Sequence, residues 1–249
     1  MKKTKKSKKT KRTKNTILIL MLILSIILIT LDYASGMKLR IIQINYGVIL
    51  LYITSLTYFL KQREAVKKSV KHLRETKNYF LIIAGIFLIT AIIGFAYPNF
   101  FNEQILKILQ ELVDKTQDLK ALELIGFIFT NNLKSSFFAM IFGTLLGIIP
   151  LMVTIINGYV LGFVANKTVG MVGYSVLWRL LPHGIFELPA VFISIGIGLR
   201  LGMYTFSKKQ QKKSLMNTIK DSLRTFTIII MPLLIIAAII EGTLIHILG

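Results

Sequence analysis

The chain of 249 residues contains no cysteine. That excludes a disulfide framework, a thiolate metal site and a cysteine nucleophile. Histidine occurs three times, and a zinc site typically joins more than one His with further ligands. Only 17% of the residues are charged, and just 11 are acidic against 31 Lys and Arg. There is no Gly-x-Ser-x-Gly elbow and no Gly-rich phosphate loop ending in Lys-Ser or Lys-Thr. These absences argue against a self-sufficient soluble enzyme, give no reason to expect a metal or cofactor, and leave any ATP-driven activity to a partner chain.

The chain is instead rich in apolar side chains, which make up 54% of it and gather in long runs rather than at the period of a half-buried helix or strand. Helices whose outside is covered by lipid have this pattern. The fold class is therefore all-α, a polytopic helical membrane protein with broken or kinked helices. The formal net charge of +20 is equally uneven: nine Lys/Arg fall in residues 1–15, seven in 61–77 and six in 207–224, all beside apolar runs. This is the positive-inside pattern, and it points to the anionic lipids of a cytoplasmic leaflet rather than to nucleic acid. The chain is thus expected in the cell membrane as a multi-pass protein with a cytoplasmic amino terminus. The apolar stretch from Ile17 runs on to Asp32, Tyr33 and Lys38 without a small-residue cleavage site, so it reads as a retained anchor rather than a signal peptide.

About 20 apolar residues make one crossing of a core about 30 Å thick. Residues 1–15 form a basic cytoplasmic tail, 16–60 a transmembrane hairpin (16–34 and 41–60) and 61–78 a basic cytoplasmic linker. Residues 79–249 form the membrane core, whose first crossing, 79–97, stops at Pro98. Residues 99–124 carry five acids and three lysines among periodic apolar positions. They read as an extracytoplasmic amphipathic helix, with Asn102 as its cap and Glu103 near its positive end. Residues 137–165 are too long for one simple span. Gly143, Gly147, Pro150 and Asn157-Gly158 are expected to kink or break it, and the small residues among them to let neighbouring helices approach closely. Between the amphipathic helix and the basic segment 207–224 an odd number of crossings is required. Three are favoured, the second at about 157–180, over one crossing with a re-entrant segment near 170–190. A last crossing, 224–248, leaves the carboxyl terminus outside. Trp178 and Arg179 suit a membrane interface.

The polar residues of this core are the candidate functional groups. His183 and Glu187 are four apart and share one helical face. Pro182 suits a first helical turn, Gly184 follows, and Pro189 loosens the turn behind it, so the pair is expected on a short, disturbed helix start. Ionisable groups at membrane depth are costly and face a partner or a cavity. The pair can relay a proton, bind a cation or polarise water, or it can simply lock two helices. Glu241, inside the last span, joins it as a candidate. Asn131 and Asn132 read as helix caps ahead of a ligand role, Asn157 as a bond across helices or to broken backbone, and Arg200 as a side chain that snorkels to the surface.

Asn131-Asn132, Gly143, Gly147, Asn157-Gly158, Leu181-Pro182-His183-Gly184, Glu187-Leu188-Pro189-Ala190 and Ile236 to Glu241, in this order, resemble the stage II sporulation protein M family. The similarity runs from about residue 79 to the end. Its members are membrane proteins of about five spans, and the sporulation member works in endospore engulfment with two partners, one of which degrades peptidoglycan. The resemblance implies a non-catalytic scaffold or recruiting subunit of an envelope or secretion complex, with protein partners. The tail and hairpin look like an added appendage, and the family's wide occurrence leaves the process open. A transporter or permease subunit, with a His-Glu site for a proton, ion or lipid-like substrate, is the alternative, and an intramembrane hydrolase a weaker one. The oligomeric state, self-association included, is open.

Overall fold

The structure is a computed structural model and describes residues 52–54, 56–58, 60, 61, 64–143, 147–175, 177, 181–204, 206 and 214–248. The expected tail 1–15, most of the hairpin 16–60, Trp178 and Arg179 lie outside these residues. The chain divides into two compact units, Met1–Ala65 and Val66–Gly249. In the first, residues 52–54, 56–58 and 60 are helical. All that follows concerns the second.

The second unit is all helical among the described residues. In order come α1 (Ala65–Ala96), α2 (Asn102–Thr116), α3 (Ala121–Phe142), α4 (Ile148–Val172), α5 (Leu181–Gly202), α6 (Leu215–Thr225), a π turn (Phe226–Ile230) and α7 (Met231–Leu248). Five helical stretches among the described residues are long and apolar enough to cross a membrane, with α6, the π turn and α7 forming one of them. Three lie between residues 121 and 202, as many as three crossings require. The middle one is α4, nine residues earlier than expected at its start.

α5 is the centre of the bundle. In its apolar window 61% is buried, against 17% to 33% in the other four, so its neighbours surround it. Phe192 of α5 meets Phe87 of α1 edge to face at 5.0 Å. Together with Ile83, Ala139, Ile195 and Leu199 these rings form a core joining α1, α3 and α5. α7 closes the other side through Ala238, against Leu124 and Ile128 of α3.

Glycines set the closest approaches. A Cβ at Gly162 would run into the backbone of Ala91 and Phe95, and one at Gly158 into Thr90 and Phe87, so α4 lies directly on α1. Gly143 at the end of α3 sits against the backbone of Gly198 in α5. The chain then turns at Gly147, whose φ of 72° is left-handed and suits a residue without a Cβ. The expected break at Gly143 and Gly147 is therefore present. Pro150 and Asn157-Gly158 do not break the chain: Pro150 lies in the first turn of α4, where its missing N–H costs little, and α4 runs unbroken through Gly158.

Within the expected linker 61–78 the chain is helical from Ala65, and the helix that holds the last crossing begins at Leu215. The amphipathic segment ends at Thr116, and residues 121–124 already belong to α3. Asn102 does not cap α2, because the cap position is Phe101 and no side chain caps the helix. Along α2 the middle of the apolar stripe, Ile105, packs on Tyr159 and Phe163 of α4. Its flanks, Leu106 and Val113 on one side and Ile108 and Leu112 on the other, stay exposed, as suits a helix lying along a membrane surface.

Gly162→Leu is expected to wedge α1 from α4 and lower unfolding free energy by about 1–3 kcal/mol. Gly85→Leu, where an added Cβ meets nothing within 4 Å, is expected to change little. Unfolding in detergent micelles reads both.

Candidate functional site

At one end of the bundle the start of α1, the end of α5 and the start of α6 meet around a buried cation. Arg200 of α5 is 7% exposed. Its Nη2 donates to Glu75 Oε2 at 2.8 Å, and its Nη1 donates to Thr76 Oγ1 at 3.3 Å and to His72 Nδ1 at 3.1 Å. A guanidinium only donates, so Nδ1 accepts and the His72 proton sits on Nε2. Nε2 faces Ser222 Oγ of α6 at 3.3 Å, and that hydroxyl donates in turn to Thr218 O at 2.9 Å. Thr76 Oγ1 passes its own proton to His72 O at 2.8 Å. Three helices are thus joined by one directed chain of hydrogen bonds, in which His72 is neutral. One turn further on, Arg224 pairs with Asp221.

At the opposite end lies a cleft of about 500 Å³. Glu187 of α5 and Glu241 of α7 line it, facing Asn131 and Asn132 of α3, with Thr116 and Gln117 at the close of α2 and His246 at its rim. The rest is apolar, and no Lys or Arg is among the described residues that line it. In a chain of net charge +20, a cleft with two acids and no Lys or Arg is a local reversal of sign. Among the described residues no three His, Asp or Glu stand together as a metal site.

A profile of the stage II sporulation protein M family matches residues 82–244, from the middle of α1 to the last turn of α7. The chain belongs to that family. An uncharacterized protein of Methanocaldococcus jannaschii is 28% identical over 199 residues, covering 74% of this chain and 89% of that protein. No solved structure matches.

In this family member, four residues singled out in the sequence come together in the cleft: Asn131, Asn132, Glu187 and Glu241. The two asparagines lie in the middle of α3 and cap nothing. Pro182 and His183 fall in the first turn of α5, but their side chains lie outside the described part. Gly184 is loosely surrounded, with Leu188 Cδ1 nearest at 3.9 Å. Pro189 sits inside α5, which continues to Gly202, so Glu187 is on a long helix and not on a short disturbed one. Asn157 is exposed on α4, away from this group; its Nδ2 donates to Val153 O at 2.9 Å, within its own helix. Arg200 does not snorkel: it is buried and held.

The Arg200 cluster was missed because hydropathy averaging ends the crossing at the lysines of 61–77. A period-3.6 reading of the same residues carries the buried stripe through them. Ser69, His72 and Thr76, all 0–1% exposed, continue the face of Ile83 and Phe87.

Glu75→Leu strands the Arg200 cation and is expected to cost about 3 kcal/mol, the low end for a buried pair because Glu75 is partly exposed. The double variant Arg200→Leu/Glu75→Leu is expected to recover most of that loss. Arg200→Lys is not, since an ammonium lacks the planar fork that reaches Glu75 and His72 together. Unfolding by denaturing detergent reads the cycle.

Proposed function

We propose that this family member is the membrane-embedded subunit of a transport system, with the Glu187/Glu241 cleft as the site that takes up a proton or a cation. The observation that carries the proposal is the convergence of two acids and two carboxamides, from three helices, in one cleft with no Lys or Arg among the described residues that line it. Two carboxylates in such surroundings need a countercharge, and a proton or a bound cation supplies it. Carboxamide oxygens of Asn131 and Asn132 add neutral acceptors that suit a partly dehydrated cation.

The basic end is the cytoplasmic one in this reading, because the basic start of α1 and Lys220 and Arg224 of α6 lie there. The amino terminus is then inside, the cleft opens to the outside, and the carboxyl terminus is outside. The Arg200 cluster holds the inner end closed while the outer end is accessible, which is the arrangement one state of an alternating-access protein needs. The basic residues at the inner surface face anionic lipid, and energy from ATP would come through a partner subunit.

Proteoliposomes loaded with a pH-sensitive dye or a cation-sensitive dye test this. Flux of protons, a monovalent or a divalent cation above that of protein-free vesicles is expected from the natural chain. Glu187→Gln/Glu241→Gln is expected to reduce it at least tenfold while the protein remains folded. Flux equal to protein-free vesicles for every cation would return the chain to the scaffold role that the family resemblance implies.

A further inference from the structure

α4 carries a polar side chain where lipid is expected. Asn157 is the tenth residue of α4, about 14 Å along the helix from Ile148 at about 1.5 Å per residue, and so close to the middle of a hydrocarbon core about 30 Å thick. It is exposed, and the neighbouring Met152 and Ile156 are each 55% exposed. Its Nδ2 uses one hydrogen on Val153 O. Among the described residues its carbonyl oxygen accepts no hydrogen bond. An exposed carboxamide at that depth leaves an acceptor and a donor facing hydrocarbon, a cost that helices relieve by pairing with another polar group.

A carboxamide complements itself, since each presents one donor and one acceptor. A twofold pair places the same residue of two identical chains face to face, the geometry of an isologous dimer. Ile156 beside it, and Met152 one turn before Ile156, give the contact apolar surface on one side of the polar pair. We infer that the Asn157 face of α4 is the contact surface for a second copy of this chain, with the two Asn157 side chains bonded to each other across the twofold axis. This inference does not depend on the transport reading.

The chain has no cysteine, so a single introduced thiol reports on this face alone. Ile156→Cys in liposomes is expected to cross-link two copies on oxidation or with a short bismaleimide. Ile92→Cys, still more exposed but on α1, is expected not to. In Förster transfer between labelled copies, diluted stepwise with lipid, Asn157→Leu is expected to weaken association at least tenfold, and Asn157→Gln to retain most of it. Asn157→Leu is also expected to leave thermal unfolding of the monomer unchanged or raised, which separates a contact between copies from a structural role inside one. Absence of the 156 cross-link, association unchanged in Asn157→Leu, or a natural chain that is monomeric at every dilution would each overturn the inference.

Discussion

A guanidinium taken out of water must be surrounded by acceptors, and in this chain they come from other helices. Arg200 sits on the central helix α5 and finds Glu75, Thr76 and His72 on α1, with Ser222 of α6 behind the imidazole. None of those partners lies within 120 residues of Arg200 except Ser222, so the cation commits the chain to bringing distant helices together at one end. The glycine contacts belong to the same constraint. Gly198, two residues before Arg200, accepts the end of α3 at Gly143, and with no Cβ on either side the backbones meet directly.

The other end is held differently. There Phe95 O and Tyr97 O, at the close of α1, accept hydrogen bonds from Asn166 at 2.8 Å and Tyr159 at 2.6 Å of α4. Apolar contacts hold α2 to α4 and α3 to α7. Among the described residues no ion pair crosses the cleft. One end of the bundle is therefore closed by an ion pair and directed hydrogen bonds, and the other holds an acid-lined cleft. That asymmetry underlies the transport proposal. The π turn Phe226–Ile230 lies between the two regimes, in the helix that carries Ser222 at one end and Glu241 at the other. Such turns widen a helix locally and are frequent at functional sites.

What was legible in the sequence follows from what hydropathy and residue chemistry can see. Long apolar runs announced the crossings, and Gly143 with Gly147 announced the interruption between α3 and α4. Glu187 and Glu241 stood out because an acid in an apolar run has few reasons to be there. The number of residues between elements was less legible. Gly158 read as a break or a packing residue and is a packing surface for α1; which of the two it is depends on what lies opposite and not on the residue itself. Asn131 and Asn132 looked like caps because a polar pair before an apolar run often is one. α3 already begins at Ala121 and carries them on its cleft side. The Arg200 cluster was hidden because lysines on the outer face of α1 lower the window average while Ser69, His72 and Thr76 keep the inner face buried.

The central claim is that Arg200 ties α1, α5 and α6 at one end of the bundle, opposite the cleft. Pulsed electron spin resonance on the otherwise cysteine-free chain tests it directly, with one label in place of Lys68 on α1 and another in place of Met216 on α6, both exposed positions. In lipid nanodiscs a single narrow distance distribution is predicted for the natural Arg200, and a longer or broadened one for Arg200→Met. An unchanged narrow distribution in the variant would show that this end closes without the cation and would contradict the account.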